Sequence, residues 1–309
     1  MVDAAANLLA GNLVVFPTET VYGLGADACN ELAVARVYSV KGRPADHPLI
    51  VHVASMDALG DWADDVPEYA ILLARDFWPG PMTLIMKRSS LAGDFVTGGQ
   101  QTVGVRVPDH PFALGLLEAF ARAGGKGIAA PSANRFGNVS PTTVQAVAAE
   151  LSEYLAAADQ IFDGGPCEVG VESTIIDCTG NAPRILRPGA ITQEMILQST
   201  GLNRIECVEH SEIRVSGSLD SHYAPVATVV LDQLPVAGQG FIAMAGLATP
   251  DGVVRLAAPQ SHDEFARVLY AALRAADEQG LKVVVVAQPM GDGIAVAIRD
   301  RLMRAAGGR

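Results

Sequence analysis

The residues of this chain best suited to chemistry are a few cations placed beside glycines and hydroxyls. In Lys41-Gly42-Arg43-Pro44, two cations flank a glycine that would let the backbone come close to a phosphate chain. Lysine supplies a compact charge and arginine a bidentate fork, so the pair could bind a polyphosphate. The same residues could instead end a helix, with Gly42 as a left-handed cap and the cations facing the helix dipole. The sequence alone leaves both interpretations open.

Arg106 is a further cation in an unusual place. It lies in the segment Gly104-Val105-Arg106-Val107, whose apolar residues are typical of a strand. A strand arginine is commonly found at an exposed edge. An arginine that points from a strand into a cleft indicates a carboxylate or phosphate ligand instead.

Three polar segments could form the walls of a binding site. Residues 16–25 follow a predicted strand and are dense in hydroxyls and glycine. Residues 130–142 end at Ser140-Pro141, a pair typical of a helix N-terminus, which can also bind anions. Residues 170–177 and Leu186-Arg187-Pro188-Gly189 lie further along the chain. Each segment, taken singly, is equally well explained as a turn, a cap or a strand.

The spacing Gly23-x-Gly25-x-x-Ala28 matches the fingerprint of dinucleotide-binding proteins, but we reject the match. In that fingerprint the glycines join a strand directly to a helix. Here six residues separate Phe16 from Gly23, and the next helix is predicted to begin only at Asn30, its N-cap. A dinucleotide-dependent oxidoreductase is therefore excluded.

The elements that must position these residues alternate along residues 1–200. Strands are predicted at 12–16, 48–53, 82–87, 102–107, 127–130, 161–163, 173–177 and 184–186. Helices are predicted at 30–40, 67–77, 111–123, 142–151 and 192–199. Because several strands follow one another directly, the pattern predicts a mixed sheet of α/β or α+β type.

The remainder of the chain divides into a linker and a small domain. Residues 201–224 have no clear period, so they are predicted to form a linker that ends in His222-Tyr223-Ala224-Pro225. Residues 225–309 regain regular patterns and are predicted to form a small α/β domain. Its longest helix, 261–278, begins with Ser261 and Glu264 in capping-box spacing.

Composition and charge limit the possible functions. Half of the 309 residues are hydrophobic and the net charge is −12, with most of the acidic excess in residues 1–200. This charge opposes nucleic-acid binding as the main role, because phosphate binding needs a basic surface. Four cysteines without metal-ligand spacing are typical of a reducing compartment. With neither a signal peptide nor a membrane span in the sequence, we expect a cytoplasmic protein.

The motifs together, in order and spacing, resemble the L-threonylcarbamoyladenylate synthase family in its long, two-domain form. The resemblance rests on residues 17–24, Lys41-Gly42-Arg43-Pro44, Pro48-Leu49-Ile50-Val51-His52, Ser132-Ala133-Asn134, Ser140-Pro141-Thr142, Glu172-Ser173-Thr174 and His222-Tyr223-Ala224-Pro225. It implies a first domain of YrdC type, which is a twisted open mixed sheet with a concave face. It also implies the reaction of L-threonine, bicarbonate or CO₂, and ATP to threonylcarbamoyl-adenylate and pyrophosphate.

The resemblance also implies roles for individual residues. Lys41 and Arg43 would contact the ATP phosphates as catalytic cations, with Mg²⁺ held mainly by those phosphates. The other nucleotide-contacting positions are Thr102, Ser132, Ser140, Arg187 and Tyr223, and the positions around L-threonine are Thr20, His52, Arg106, Ala130 and Ser173. Tyr223 would cover the nucleotide from the linker. A separate transferase would consume the adenylate to modify tRNA, so contact with tRNA is expected to be indirect.

One residue departs from the family pattern, and two alternative functions stay open. His47 occupies a position at which the family often has an ATP-contacting asparagine, so that contact would become sensitive to pH. The first alternative is a non-catalytic module that binds double-stranded RNA or tRNA, which the acidic charge opposes. The second is a carbamoyl transferase of the hydrogenase-maturation kind. The chain lacks the cysteine pairs and the acylphosphatase-like region of those proteins.

Overall fold

Two separate sheets organise the chain. The computed structural model describes residues 1–205, 213–217 and 223–307. The larger sheet has nine strands in the order β7-β1-β2-β6-β3-β5-β4-β8-β9, and the smaller has four in the order β10-β13-β11-β12. His222 and Cys207 lie outside the described residues. Cys29, Cys167 and Cys178 are unpaired thiols.

The nine-stranded sheet is mixed, as the sequence predicts. Its strands are β1 (Val14–Phe16), β2 (Gly23–Asp27), β3 (Ile50–His52), β4 (Met82–Lys87), β5 (Thr102–Arg106), β6 (Ile128–Ala129), β7 (Gln160–Ile161), β8 (Thr174–Asp177) and β9 (Arg184–Arg187). Strands β3 and β5 are parallel, as are β4 and β8, whereas β4 and β5 are antiparallel. The parallel pair places His52, the last residue of β3, beside Arg106, the last residue of β5.

Helices pack on this sheet and bury its apolar side chains. They are α1 (Val2–Leu9), α2 (Glu31–Lys41), α3 (Leu59–Trp62), α4 (Glu68–Phe77), α5 (Asp94–Thr97), α6 (Pro111–Arg122), α7 (Val144–Leu151) and α8 (Gln193–Thr200), with one 3₁₀ turn at Met56–Ala58. Trp62 is fully buried in the main core, and Phe120 lies in a second cluster, where α1 and α6 lie together.

The smaller sheet is entirely parallel and carries two helices. Its strands are β10 (Thr228–Leu231), β11 (Gly240–Ile242), β12 (Val254–Ala257) and β13 (Val283–Val286), and its helices are α9 (His262–Glu278) and α10 (Ile294–Ala306). Ser261 caps α9 by accepting a hydrogen bond from the Glu264 backbone N–H at 3.1 Å. Among the described residues, no helix has the length and apolar character needed to cross a bilayer.

Local signals set both ends of α2. The Asn30 side chain accepts a hydrogen bond from the Ala33 backbone N–H, which satisfies one of the unpaired donors of the first turn. Gly42 ends the helix in the left-handed region with φ = 62°, a conformation that glycine adopts without steric cost. The structure therefore confirms the predicted helix cap, and this cap aims the two flanking cations in different directions.

The prediction that Ser140 caps helix α7 is wrong. The helix begins at Val144, and Thr143 is its N-cap. The Ser140 hydroxyl instead donates a hydrogen bond to the Glu172 carboxylate at 2.6 Å. A charged acceptor binds a hydroxyl more strongly than a backbone amide can, so the tertiary partner overrides the local signal.

The sequence analysis missed helix α1, strand β2, the short helices α3 and α5 and the 3₁₀ turn. Strand β2 contains Gly23 and Gly25, in the segment that the composition assigned to a turn. A Cβ atom at Gly25 would lie 2.8 Å from side-chain atoms of Ile128 and Phe16, so only glycine lets β2 pass between its neighbours.

Candidate active site

A cavity opens where strands β3 and β5 of the nine-stranded sheet end. His52 and Arg106 enter it from those strand ends, and Thr20 enters from the segment before β2. Ser132 bridges to Gly23 and closes another side.

Nine of the thirteen predicted site residues line this cavity. They are Thr20, Arg43, His52, Arg106, Ala130, Ser132, Ser173, Arg187 and Tyr223. They come from eight separate segments of the chain, so only the fold brings them together. Lys41, His47, Thr102 and Ser140 are not part of its lining.

Arg106 is held in a buried ion pair at the wall of the cavity. Its guanidinium donates to Glu19 Oε1 at 2.6 Å and to Thr20 Oγ1 at 3.0 Å, and both charged side chains are 5% exposed. Glu19 Oε2 has no hydrogen-bond partner among the described residues. An arginine has five N–H donors, so Arg106 keeps donors for a ligand in the cavity.

His52 is a neutral imidazole at this site. Burial, and then the nearby Arg106 charge, lower the pKa of His52 to about 3. Its ring meets that of Phe16 edge to face at 6.2 Å, and its Nδ1 has no hydrogen-bond partner in the described part of the chain. A neutral ring with a free nitrogen is suited to hydrogen bonding with a ligand rather than to holding charge.

Acid should destabilise the fold through His52. The unfolded chain protonates this histidine below pH 6.5 and the folded chain only near pH 3, so unfolding takes up a proton between these values. We expect the free energy of unfolding to fall by up to about 1.4 kcal/mol per pH unit as pH decreases through this window. Urea unfolding of wild type and His52→Gln between pH 6.5 and 5 measures the difference.

The range above pH 5 excludes the titration of Glu172, whose folded pKa is about 2. Equal slopes for wild type and His52→Gln would show that His52 does not sense acid in this way.

Arg43 and Arg187 form a cationic side of the cavity. Arg43 donates to the hydroxyl of Ser216 at 3.1 Å, and Arg187 donates to the carbonyl oxygen of the same residue at 2.8 Å. Burial lowers the pKa of Arg43 to about 10, so the group stays cationic at neutral pH. Two buried guanidinium groups that converge on one residue form a suitable site for an anion.

Lys41 lies behind the wall of the cavity. Its ammonium donates to the carbonyl oxygens of Ser132 and Asn134 at 2.5 and 2.6 Å, and the side chain is 2% exposed. Burial, followed by the nearby Arg43 charge, lowers the pKa of Lys41. The ammonium is thus occupied in fixing the loop that carries Ser132. A direct contact of Lys41 with phosphate stays a prediction.

The other three predicted residues lie around the cavity. Thr102 lines a small adjoining pocket, together with Gly104 and Ser216. His47 packs edge to face against Phe136 at 5.3 Å. Ser140 is fully buried, with its hydroxyl on Glu172.

The sequence analysis gave no role to Glu172, which also lines the cavity. Its carboxylate accepts hydrogen bonds from Ser140 and from Tyr270 of α9, and it forms an ion pair with Arg301 of α10 at 2.7 Å. Burial by itself raises the pKa of Glu172, but Arg301 and Arg187 outweigh it and lower the pKa to about 2. The signal for Arg301 was present in the sequence: it shares a helix face with the apolar Ile298 and Leu302.

Both parts of the chain match known families. Residues 6–189 match the family model described as "Telomere recombination", and residues 191–307 match "Threonylcarbamoyl-AMP synthase, C-terminal domain". The threonylcarbamoyl-AMP synthase of Pyrococcus abyssi is 39% identical over 327 residues, covering 99% of this chain and 94% of that protein. The Bacillus subtilis synthase is 40% identical over 328 residues, covering 99% and 93% respectively.

The chain belongs to the threonylcarbamoyl-AMP synthase family. A crystal structure of P. abyssi Sua5 complexed with L-threonine matches it with a TM-score of 0.87 and 39% identity, covering 98% of this chain and 93% of that one. As a threonylcarbamoyl-AMP synthase, the chain is an enzyme of the pathway that makes threonylcarbamoyladenosine in tRNA. The predicted synthase function is confirmed, over both the RNA-binding module and the carbamoyl transferase.

Proposed function

We propose that this synthase binds L-threonine at the Arg106 end of the cavity and the ATP phosphates at the Arg43 and Arg187 end. The observation that carries the proposal is the meeting of three buried arginines in a single cavity. One end combines Arg106 with a neutral histidine, which suits an amino acid. The other end is cationic, which suits a polyphosphate.

The threonine subsite would use donors that the fold leaves available. Arg106 would pair with the α-carboxylate through the N–H groups not used by Glu19, Thr20 and the Gly80 carbonyl. Thr20, His52 and Ser173 would contribute side-chain hydrogen bonds, and Ala130 only its backbone. The Crystal structure of P. abyssi Sua5 complexed with L-threonine supports this choice of ligand.

In the ATP subsite, the nucleotide would displace Ser216 of the linker from the two arginines that it contacts. Phosphate oxygens would take the place of Ser216 on Arg43 and Arg187. Ser132, Ser140, Thr102, His47 and Tyr223 would complete the nucleotide contacts. Lys41 would act by holding the Ser132 loop in place, in addition to any direct contact with phosphate.

The reaction then needs positioning more than acid–base groups. The threonine amine adds to CO₂ to give a carbamate, and a carbamate oxygen forms a bond to the α-phosphorus of ATP. The bond from the α-phosphorus to the bridging oxygen breaks, and pyrophosphate leaves with that electron pair. Negative charge grows on the phosphoryl oxygens, where Arg43 and Arg187 would stabilise it.

Magnesium would enter with ATP rather than bind to the protein itself. The described residues contain no group of three or more His, Cys, Asp or Glu that could hold a metal ion. The two carboxylates near the cavity, Glu19 and Glu172, are already paired with Arg106 and Arg301. We therefore propose ATP oxygens as the main Mg²⁺ ligands, and no step here depends on the ion.

The domains of the chain and the protein that consumes its product would have separate roles. We propose that residues 1–200 form the catalytic domain, 201–224 the linker and lid, and 225–309 the small domain. A mixed anhydride of a carbamate with AMP hydrolyses readily, so a transferase protein would consume it soon after release. That protein would contact tRNA, which matches the acidic net charge of this chain.

Pyrophosphate release from ATP tests the proposal directly. We expect release to require both L-threonine and bicarbonate, because only the carbamate supplies the attacking oxygen. Measurement of pyrophosphate with each substrate omitted in turn distinguishes this from simple ATP hydrolysis. Release that is independent of threonine would overturn the substrate assignment.

Tyr223 should protect the product from water. The side chain is 1% exposed, lines the cavity and stacks on Tyr270 with ring centroids 5.8 Å apart. Replacing it by alanine opens this cover, so we expect the lifetime of enzyme-bound threonylcarbamoyl-AMP to fall about tenfold. Single-turnover assays that separate the adenylate from AMP measure this lifetime. Tyr223→Phe, which keeps the ring, is the matched control, and an unchanged lifetime in Tyr223→Ala would rule out the cover.

A further inference from the structure

The small domain reaches the cavity through one buried network. Arg301 of α10 and Tyr270 of α9 both bind Glu172 Oε2, at 2.7 and 2.9 Å. The other oxygen of the carboxylate accepts the Ser140 hydroxyl at 2.6 Å. Glu172 lines the cavity, so the network joins the two helices to the wall of the proposed ATP subsite.

We infer that Arg301 and Tyr270 are positioning residues of the ATP subsite, and that both act through Glu172. They hold the carboxylate that binds the Ser140 hydroxyl, and Arg301 compensates the negative charge that this carboxylate would present to the polyphosphate. The inference rests on the proposed function, because it takes the anion beside Glu172 to be ATP. It gives the small domain a role in substrate binding that goes beyond support of the linker.

Electrostatics explains why such a device is needed. A carboxylate beside a polyphosphate site repels the ligand unless a cation compensates it. Arg301 is 1% exposed and supplies the larger part of that compensation from outside the cavity, so Arg187 is not the sole cation that compensates Glu172. Arg301 also donates to the Pro188 carbonyl at 3.0 Å, next to Arg187, so the same side chain fixes the end of β9.

A second contact between the same two domains supports a positioning role. Arg274 of α9 pairs with Glu150 at 2.9 Å and donates to the Val139 carbonyl, one residue before Ser140. Glu150 in turn accepts the Asn138 side chain at 2.9 Å. The helices of the small domain therefore hold both the backbone beside Ser140 and the partner of its hydroxyl.

The charged and titratable groups that face Glu172 come from several elements. Arg301 belongs to α10, Tyr270 to α9, Arg187 to β9 and Tyr223 to the linker, and Arg301 also pairs with Asp300 of its own helix at 2.5 Å. Removal of Arg301 takes away the cation that lowers the Glu172 pKa most and leaves Arg187 against the effect of burial. The carboxylate should then take up a proton at a higher pH than in wild type.

The experiment uses the full chain and compares Arg301→Met with Arg301→Lys. We expect the KM for ATP of Arg301→Met to rise about tenfold at pH 7.5, because an uncompensated carboxylate repels the polyphosphate. The KM for L-threonine should stay within about twofold, since Glu172 acts on the ATP end. Arg301→Lys keeps the positive charge, so its KM for ATP should return most of the way to the wild-type value.

Two readouts separate positioning from mere support of the fold. Acidification should lower the ATP KM of Arg301→Met as Glu172 becomes neutral, and Glu172→Gln in the Arg301→Met background should remove this pH dependence. A purely structural role would lower stability and leave the ATP KM of the folded fraction unchanged. Arg299→Met is the matched control, because Arg299 lies on the same helix and donates to the Pro289 and Gly291 carbonyls, away from Glu172.

Tyr270→Phe keeps the experiment decisive if Arg301→Met fails to fold. It removes one hydroxyl and keeps the ring stacked on Tyr223, and we expect the ATP KM to rise about threefold. A wild-type ATP KM in Arg301→Met, or in Tyr270→Phe where the former does not fold, would overturn the inference. Absence of threonine-dependent pyrophosphate release in wild type would instead overturn the proposed function, so the two failures are distinguishable.

Discussion

Replacing Arg43 by methionine should lower kcat/KM for ATP by about a thousandfold. Arg43 lines the cavity, and its guanidinium converges with that of Arg187 on a single small residue, Ser216. Loss of one preorganised donor to a developing oxyanion typically costs 10² to 10³ in rate, and loss of an arginine at a transferring phosphoryl group costs about 10³ or more. Steady-state pyrophosphate release at varied ATP measures the effect.

Three further variants show whether Arg43 acts by direct contact. Arg43→Lys keeps the charge without the fork and should recover part of the loss. Lys41→Met removes a cation that lies behind the wall, so we expect a smaller loss, expressed through the Ser132 loop. Arg36→Met removes a cation of α2 that pairs with Asp159 and does not line the cavity, so it should keep wild-type activity. Equal losses in Arg43→Met and Arg36→Met would contradict a role at the phosphates.

Elements with local signals were predicted well from the sequence. The ends of α2 follow from Asn30 and Gly42, because capping is a matter of a few adjacent residues. The start of α9 follows from Ser261 in the same way. The mixed character of the sheet follows from consecutive strands without helices between them.

Elements that depend on distant partners were not predictable in this way. Strand β2 needs glycine because Phe16 and Ile128 crowd it, and nothing in its own segment shows that crowding. Ser140 carries the signal of a helix cap, but a carboxylate 32 residues away takes its hydroxyl. Lys41 adjoins Arg43 in sequence, yet its ammonium faces carbonyl groups more than ninety residues away.

Many residues of the site could be predicted because they lie in short sequence motifs with distinctive chemistry. Nine of the thirteen residues named from the sequence line one cavity. What short motifs cannot show is compensation of charge. Glu19 and Glu172 lie within the motifs, and their meaning depends on Arg106 and Arg301, which come from other parts of the fold.

Replacing Arg106 by methionine should raise the KM for L-threonine by about 10²- to 10³-fold and leave ATP binding unchanged. Truncating one partner of a buried, hydrogen-bonded charge pair costs about 2–5 kcal/mol, and the α-carboxylate of threonine would lose its cation. The variant should also be less stable by about 3–5 kcal/mol, because Glu19 stays buried without its counter-charge. Calorimetric titration with threonine and urea unfolding measure the two effects separately.

The double variant Glu19→Gln, Arg106→Met separates binding from charge compensation. Neutralising Glu19 removes the uncompensated buried charge, so we expect much of the lost stability to return. Threonine affinity should stay low, because glutamine at position 19 supplies no cation for the α-carboxylate. If the double variant instead bound threonine as tightly as wild type, Arg106 would serve only to neutralise Glu19. The threonine subsite would then have to be sought elsewhere in the cavity, beginning with the free Nδ1 of His52.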